Sequence, residues 1–596
     1  MSPRRVVPLL LFVLSALFLA ACGGGGGDDK EADRGYTTAR GYGDSKAALV
    51  ASSDFAAQTG LGGEPSELTP SYKPTGKIVA DSGFRPYSDG FGFPNYTNDA
   101  EPANLGTKEL QDLFGDAVCI EGTAGSDCVP TPAAQTWAEN MNAGMAGGHC
   151  EGFSMTALRF FSQNLNIGDY GADTTPALPI EGNEPLQGEI AEGFMYQVLP
   201  TVLSNQVHGT PTDVLNELKR TLTGDQELYT LGIYMRDRTG GHAITPFAIE
   251  DKGDGQYAIL VYDNNYPGAT RAVMVDTNED TWSYEASINP DQQSALYEGD
   301  ASTNTLELDP LSPGLGEQPC PFCQGEAKGT VNAKGGVFKA KEYTEIAMQG
   351  DPVNHPHLIF QDDQGRRTGV IQGKLVTEIP DIQVVSQRLG VGVSTWAQAP
   401  EPTYRLPEGK GYIITIDGSD LTKTAKPTVN LIGNGLVLEV EDLTIEPGQK
   451  DRLQVLDGYG IAYESNNDAG EVPNIFAGVV KDDSAYIFAA SAVGIEKGSA
   501  IRLIVVPEDN VVLLDSSLAR GVNGTKGHYI LNLSKQTGDG KIGTWTKDVR
   551  LAGEKGESVG FEYSETANIG KPLPLVYVGA DGEPTGKTLL LKPDDA

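Results

Sequence analysis

The chain passes from one predicted helix to the next within the stretch GGHCEGFS at residues 147–154. The two glycines are expected to end the first helix, because glycine tolerates the left-handed backbone that closes a helix. The next helix is predicted to begin at Cys150, so that a thiol lies at a helix N-terminus. The unpaired N–H groups of a helix N-terminus favour a nearby negative charge, here a thiolate. This stretch therefore predicts a helical segment that positions a cysteine for nucleophilic chemistry.

Helices precede strands in the segments around Cys150. Thr131 and Pro132 predict the start of the preceding helix, with threonine as N-cap and proline in the first turn. Further helices are predicted at residues 191–203 and 211–222, and short β-rich runs at residues 228–235, 242–249, 257–262 and 271–275. Helices followed by a sheet are typical of an α+β domain, which we place at residues 81–310.

Strand-like runs dominate the rest of the chain. From about residue 330, short alternating segments recur between Gly, Asp and Asn turns, which predicts β-sandwich-like structure. We divide this part into a β-sandwich-like domain at residues 331–430 and a second β-rich domain at residues 431–596. A CxxC linker at residues 311–330 joins them to the first domain. The predicted fold class is multidomain, with an α+β domain followed by an all-β C-terminal region.

The first 21 residues predict a signal peptide. Arg4 and Arg5 form a basic region, and the apolar run at residues 6–18 is too short for the roughly 20 residues that span a bilayer. The segment LAAC at residues 19–22 resembles the bacterial lipobox, which implies lipidation of Cys22; an ordinary secretory signal is the alternative. Residues 22–80, rich in glycine and charge, predict a flexible tether. We therefore expect an extracytoplasmic, lipid-anchored protein of the bacterial cell envelope.

The six cysteines divide into two pairs and two single residues. Besides Cys22, the close pairs Cys119–Cys128 and Cys320–Cys323 are each expected to form a local disulfide in an oxidising compartment. The second pair has two alternatives, a redox-active dithiol and half of a zinc site. Cys150 is then left without a disulfide partner, which favours a nucleophile; a buried inert cysteine is the alternative.

A histidine and a carboxamide or carboxylate on later strands complete the candidate site. His242 opens a predicted strand after two glycines and is the best candidate for a general base. His149 is adjacent to Cys150, and neighbouring residues on a helix do not face each other. Folding the chain about Gly253 brings His242 opposite Asn264, with Asp263 one position away. Both remain candidates for orienting the imidazole, and we favour Asp263 because a carboxylate also stabilises the cation.

Three short blocks resemble the papain-like superfamily of cysteine peptidases. They are GHCEGF at residues 148–153, GHAITPF at 241–247 and YDNNYP at 262–267, and they are most similar to the double-glycine-peptidase-like and transglutaminase-like bacterial branches. The resemblance covers about residues 85–310. It implies a helical lobe carrying Cys150 against a sheet lobe carrying His242, and acyl transfer through a thioester.

The sequence departs from the papain pattern at the oxyanion donor. The papain pattern has a glutamine a few residues before the cysteine, and the stretch NAGMAG at residues 142–147 contains none. The backbone N–H of Cys150 can supply one donor, and Asn142 and Gln135 are candidates for the second. Loss of one donor costs roughly 10²–10³ in rate, so an inactive protein is a second hypothesis.

We predict a membrane-anchored cysteine hydrolase, a peptidase or amidase, that uses a Cys150–His242–Asp263 triad. The alternatives are an inactive envelope or adhesion lipoprotein and a transglutaminase-like acyltransferase. The expected partners are a peptide or protein substrate, the membrane through acylated Cys22, and a cell-envelope component through the β-rich domains. The formal net charge of −37 argues against nucleic acid. No cofactor is expected and no metal site is assigned, because the pair His355-x-His357 on one strand face offers only two ligands.

Overall fold

The computed structural model describes residues 71–594, apart from several internal gaps. The gaps are residues 224–226, 237–240, 287–294, 324–329, 332–336, 339–342, 352–353, 386–400, 408–409, 434, 457–458, 469–472, 494–495, 517–526, 552–557, 564–567 and 580–583. The predicted signal peptide, the lipidation site Cys22 and most of the predicted tether lie outside the described residues. Within those described residues, no helix is long and apolar enough to cross a membrane.

The α-helices lie in the first part of the described chain. They are α1 Pro86–Asp89, α2 Thr107–Phe114, α3 Pro132–Gly144, α4 Cys150–Phe161, α5 Glu184–Phe194, α6 Pro200–Leu203 and α7 Pro211–Thr221. Single 3₁₀ turns occur at Asn98–Ala100, Gly115–Val118, Gly125–Asp127, Met145–Gly147, Ile167–Tyr170, Thr175–Ala177, Met195–Val198, Ser312–Gly314 and Pro507–Asp509. The predicted helix at residues 191–203 is therefore three shorter elements, since Pro200 can begin a helix but not continue one.

The strands fall into two groups along the chain. The first group is β1 Lys77–Asp81, β2 Val207–His208, β3 Tyr229–Tyr234, β4 Gly241–Gly253, β5 Gln256–Tyr262, β6 Thr270–Asp276, β7 Thr281–Ala286, β8 Ala295–Asp300 and β9 Leu306–Pro310. The second group is β10 Thr330–Val331, β11 Val337–Phe338, β12 Tyr343–Gln349, β13 His357–Gln361, β14 Arg367–Ile371, β15 Lys374–Thr377, β16 Gln383–Val385, β17 Thr403–Pro407, β18 Tyr412–Asp417, β19 Thr428–Gly433, β20 Leu436–Glu441, β21 Lys450–Leu456, β22 Gly460–Ser465, β23 Asn474–Lys481, β24 Ser484–Val493, β25 Ser499–Val506, β26 Val511–Asp515, β27 Gly527–Thr537, β28 Ile542–Leu551, β29 Ser558–Glu562, β30 Leu573–Val578 and β31 Pro584–Leu591.

The first domain packs its helices against one antiparallel sheet. The sheet has the order β2-β9-β3-β4-β5-β6-β7-β8, with β1 paired to β4. Helix α4 is the central element, because nearly its whole surface is buried and it contacts both α5 and β4. Gly152 makes the close approach to α5 possible, since a Cβ at that position would lie 2.0 Å from the carbonyl oxygen of Ile190. Substitution of Gly152 would therefore push the two helices apart.

Strands β12–β31 form a two-sheet sandwich, as the alternating sequence pattern predicts, whereas β10 and β11 pair only with each other. One sheet has the order β16-β17-β12-β19-β20-β23-β24-β27-β28 and the other β15-β14-β13-β18-β21-β22-β25-β26-β29-β30-β31. Side chains from both sheets share one apolar core that runs from Ile346 to Leu591. The predicted domain boundary at residue 430 falls within β19, and segments on both sides of it contribute strands to both sheets. These sheets therefore do not divide at that residue.

The sheet containing β20 lies between the sandwich core and the first domain. Leu436, Leu438 and Val440 of β20 face the sandwich core, whereas Val437 packs in the core of the first domain. Each such buried aliphatic side chain contributes about 1.5–3 kcal/mol. On the same outer face, Glu439 accepts a hydrogen bond of 3.0 Å from Thr136 of α3. The alternation along β20 therefore couples the two parts of the molecule.

Both predicted disulfides are confirmed. Cys119 is bonded to Cys128, and Cys320 is bonded to Cys323. Phe322, between the second pair, packs its ring against Trp137 of α3 and is buried. The CxxC segment is therefore a packed connection between the first domain and the sandwich. Because both sulfurs are in the disulfide, the structure does not fit the zinc interpretation of Cys320 and Cys323.

Candidate active site

Cys150 occupies the first position of α4, where the sequence places it. Helix α3 begins after the N-cap Thr131, whose hydroxyl accepts the N–H of Ala134, and ends at Gly144. A 3₁₀ turn and Gly148, with a φ of 140°, then reverse the chain before Cys150. Cys150 is not in a disulfide, and its side chain is fully buried. The thiol therefore lies at the positive end of a helix and inside the protein.

His242 and Asp263 form a direct pair. The Nε2 of His242 lies 2.8 Å from Oδ1 of Asp263, and both side chains are buried. His242 lies on β4, and Asp263 follows the end of the neighbouring strand β5. The other ring nitrogen of His242, Nδ1, is buried and makes no hydrogen bond to a nitrogen or oxygen atom of the described residues. One nitrogen is thus held by a carboxylate, and the other remains for a reaction partner.

The charges at this pair are shifted in opposite directions. Burial by itself would lower the pKa of His242, but the Asp263 carboxylate and the neighbouring Cys150 side chain raise that pKa to about 10. Burial would raise the pKa of Asp263, but His242 and further hydrogen bonds hold it below its ordinary value. At neutral pH the pair is therefore an imidazolium and a carboxylate. Because the Cys150 side chain interacts with the His242 ring and helps to raise its pKa, the three predicted residues Cys150, His242 and Asp263 lie next to one another.

Two further groups hold the Asp263 carboxylate. The backbone N–H of Asn265 donates to Oδ1 over 2.9 Å, and the hydroxyl of Tyr284 donates to Oδ2. Tyr284 lies on β7 and is buried, and burial together with Asp263 raises its pKa well above the ordinary value. Tyr284 therefore remains a donor at every physiological pH. Tyr284 was not predicted from the sequence, because β7 is separated from Asp263 by β6 and two turns.

Asn264 has a different position from the one that an imidazole-orienting residue needs. Its side-chain Nδ2 lies 2.9 Å from the carbonyl oxygen of Cys150, 2.9 Å from that of Ala243 and 3.1 Å from the Ser154 hydroxyl. It therefore joins the first turn of α4 to β4. Of the two candidates that the sequence left open, Asp263 is the one that contacts His242 through its side chain.

The two predicted oxyanion donors are committed elsewhere. Both amide atoms of Asn142 bind the backbone of Leu105, each over 3.0 Å. Gln135 donates to Glu139 over 3.1 Å and lines a cavity between α3 and the sandwich. Asn142 therefore stabilises the first domain, whereas Gln135 faces the sandwich. The structure therefore does not bring either residue to Cys150.

Asn95 is the amide that the structure places next to the Cys150 turn. Its Oδ1 accepts the N–H of His149 over 2.8 Å, and its own backbone N–H donates to the carbonyl oxygen of Asn264 over 2.9 Å. Its Nδ2 is buried and has no hydrogen-bond partner among the residues that the structure describes. An unsatisfied buried donor is costly, at about 1–3 kcal/mol, and such groups cluster at functional sites. Asn95 lies 55 residues before Cys150, so no local pattern connects the two.

His149 has a structural role. Its Nδ1 lies 2.9 Å from the carbonyl oxygen of Tyr96, and burial lowers its pKa to about 4. Its ring is therefore neutral at physiological pH, and it anchors the segment between α1 and α2 that contains Tyr96. The prediction that His149 is a poor base agrees with this contact.

No family model, no curated protein and no solved structure matches this chain. The geometry of the site and the sequence blocks that carry it are therefore the observations from which a function can be proposed.

Proposed function

We propose that the protein is an extracytoplasmic cysteine hydrolase, a peptidase or amidase, anchored to the membrane of a bacterial envelope through Cys22. The observation that carries the proposal is the buried His242–Asp263 pair, with Cys150 beside it at the start of α4. The same three residue types serve papain-like peptidases, whose sequence blocks this chain resembles. In that reading residues 81–310 form a papain-like domain, with α4 on the helical side and β4 and β5 on the sheet side.

Each residue has one task in the proposed reaction. In the proposed reaction the proton of the Cys150 thiol resides on His242, and the sulfur attacks the carbonyl carbon of the substrate as a thiolate. The carbon–nitrogen bond breaks to leave a thioester, while the His242 imidazolium gives its proton to the departing amine. The neutral His242 then removes a proton from water, which attacks the thioester, releases the acid and restores the thiolate and the imidazolium. Asp263 keeps the ring oriented and stabilises its positive charge throughout. Nδ1 is the nitrogen that faces this chemistry, because Nε2 is bound to Asp263.

The oxyanion requires two donors. The backbone N–H of Cys150 lies in the first turn of α4, at the helix N-terminus, and is the first donor in our proposal. The buried Nδ2 of Asn95 is the second in our proposal, and it replaces Asn142 and Gln135 in that role. The hydrogen bond from His149 to Asn95 fixes the amide with its Nδ2 directed away from that bond.

One observation favours a catalytically inactive envelope protein as the second candidate. Cys150 is 0 % exposed and His242 is 1 % exposed, so a polypeptide substrate cannot reach the sulfur without local opening. An inactive protein would retain the same buried contacts for stability alone. Transfer of the acyl group to an amine instead of water, as in transglutaminases, would use the same thioester.

The experiment that tests the proposal is capture of the acyl-enzyme. The full-length chain is mixed with p-nitrophenyl acetate, and the release of nitrophenolate and the intact mass are followed together. We expect a burst of one nitrophenolate per chain and one acetyl group on the peptide that contains Cys150. Cys150→Ser and His242→Gln should abolish the burst, whereas His208→Gln, at an exposed histidine, should keep it. A wild-type chain that is acetylated only on lysines would refute the proposal.

A further inference from the structure

A second cluster of buried histidine and carboxylate groups lies in the β-sandwich. His355 and His357 precede and begin β13, and their rings meet at right angles with centroids 5.2 Å apart. Glu401 precedes β17, and its side chain is 1 % exposed. One ligand atom of each of these three residues lies within 4.8 Å of the others. Glu401 is the third ligand that the histidine pair alone lacked.

His355 has the protonation pattern of a metal ligand. Its Nδ1 lies 3.2 Å from the carbonyl oxygen of Asp351, so that nitrogen carries the proton and donates. Its Nε2 is therefore a lone-pair acceptor, and it is buried with no hydrogen-bond partner within the described part of the chain. Histidines that bind metals commonly donate their other ring N–H to a backbone carbonyl in this way. The ring itself is only 4 % exposed, so water does not readily satisfy the nitrogen.

The carboxylate opposite His355 is rigidly held. Glu401 Oε1 accepts the N–H of Leu358 over 2.8 Å and the hydroxyl of Tyr404 over 2.9 Å. Its Oε2 lies 2.7 Å from Nδ1 of His357. These bonds fix the second oxygen toward the histidine pair.

We propose that His355, His357 and Glu401 form a binding site for a divalent transition metal of the zinc class. Two imidazoles and a carboxylate suit Zn²⁺, whereas Ca²⁺ and Mg²⁺ prefer oxygen ligands alone. At metal–ligand distances of about 2.0–2.1 Å, tetrahedral ligand atoms lie roughly 3.3 Å apart, so the widest separation in the cluster would shorten by no more than about 1.5 Å. The 2.7 Å hydrogen bond between Nδ1 of His357 and Oε2 of Glu401 would be replaced by metal–ligand bonds, with release of its proton. The half-exposed Asp420 carboxylate lies 3.9 Å from the other ring nitrogen of His357, Nε2.

Such a metal would connect the two sheets of the sandwich. His357 lies on β13 in one sheet, whereas Glu401 precedes β17 in the other. The loop between β18 and β19 is also tied to this corner, because Asn354 accepts the N–H groups of Thr422 and Lys423. The proposed role is therefore structural, and it does not depend on the catalytic proposal.

The test uses the full-length chain without a polyhistidine tag, stripped of metal by a chelator. Zn²⁺ is titrated by calorimetry, and Co²⁺ is used as a spectroscopic probe. We expect one Zn²⁺ per chain, a rise in melting temperature on binding, and a Co²⁺ spectrum without a thiolate charge-transfer band. His355→Gln, His357→Gln and Glu401→Gln should each weaken Zn²⁺ binding at least about 100-fold. His208→Gln is the matched control, because His208 is an exposed histidine 3.7 Å from the carboxylate of Glu307, and it should bind Zn²⁺ as the wild type does.

X-ray absorption at the zinc edge of the wild-type chain supplies a readout that needs no variant. A first shell of nitrogen and oxygen with imidazole scattering is expected. The proposal is overturned if the chain takes up no stoichiometric Zn²⁺, if the shell contains sulfur, or if His355→Gln and His357→Gln both bind within threefold of the wild type.

Discussion

Two buried histidine–carboxylate pairs lie in the part of the chain that the structure describes, and they differ in the third group next to the imidazole. His242 lies 2.8 Å from Asp263, and His357 lies 2.7 Å from Glu401. At the first pair the additional group is a thiol at a helix N-terminus; at the second it is another imidazole with a buried lone pair. A histidine–carboxylate contact is therefore common to both sites, and in our two proposals the third group distinguishes a nucleophilic site from a metal-binding site.

Replacing the Cys150 thiol, the third group beside the His242–Asp263 pair, should have the largest effect on hydrolysis. Cys150→Ser retains the volume but replaces the sulfur by a hydroxyl that is a far weaker nucleophile at neutral pH. We expect p-nitrophenyl acetate hydrolysis to fall to the background of the uncatalysed reaction. Zn²⁺ affinity should stay at the wild-type value, and a change in it would show that the two sites are not separate.

The second-largest effect on hydrolysis is expected from removing the charge of the Asp263 carboxylate, which leaves the His357–Glu401 pair unchanged. Asp263→Asn leaves His242 without its main positive-charge stabiliser, so hydrolysis should fall by about 10²–10⁴. The same substitution should return the raised pKa of His242 from about 10 toward or below 6.5. A raised pKa means that the stability contribution is complete below pH 6.5 and is lost as pH rises toward 10. The melting temperature of the wild type should therefore fall over that range relative to Asp263→Asn, and parallel curves would contradict the ion pair.

The proposal that Asn95 is the second oxyanion donor can be tested by comparing a reaction that forms an oxyanion with one that does not. Asn95→Ala should lower ester hydrolysis by about 10²–10³, because a donor to the oxyanion is lost. Alkylation of Cys150 by iodoacetamide forms no oxyanion, so its rate should stay within a few-fold. Asn142→Ala is the matched control, because that amide binds Leu105, and it should affect folding more than turnover. Equal losses in both reactions would assign Asn95 to structure alone.

The smallest catalytic effect is expected at the residue behind the carboxylate. Tyr284→Phe removes one hydrogen bond to a charged group, which is worth about 1.5–3 kcal/mol, so hydrolysis should fall by roughly 10- to 100-fold. As a positioning residue, Tyr284 should also shift the pH profile of hydrolysis, because Asp263 would hold its charge less well. A lower melting temperature with an unchanged profile would leave Tyr284 with only a packing role.

Local signals explain what could be predicted from the sequence. The start of α4 at Cys150, the cap at Thr131 and the short disulfides depend on neighbours within ten residues. The choice between Asp263 and Asn264 could not be predicted, because β4 contains two register irregularities, near Pro246 and near Asp251. As a result Thr245 pairs with Tyr262, one residue away from the simple hairpin about Gly253.

Non-local contacts explain what the sequence concealed. Asn95, in the segment between α1 and α2, contacts His149 next to Cys150. Glu401 contacts His357 from 44 residues away along the chain and from the other sheet. The sandwich likewise interleaves early and late strands around one core, which no local composition change marks. Asn95 and Glu401, which were not predicted from the sequence, are both polar residues whose partners lie far away along the chain.

The most direct test of the central claim is the rate at which iodoacetamide alkylates Cys150 at neutral pH, followed by peptide mass. It is measured in the native wild type, in native His242→Gln and in the urea-unfolded chain. We predict that the native wild-type thiol reacts faster than the unfolded thiol and that His242→Gln slows it at least tenfold. A Cys150 that reacts only after unfolding, at a rate independent of His242, would contradict the proposed enzyme.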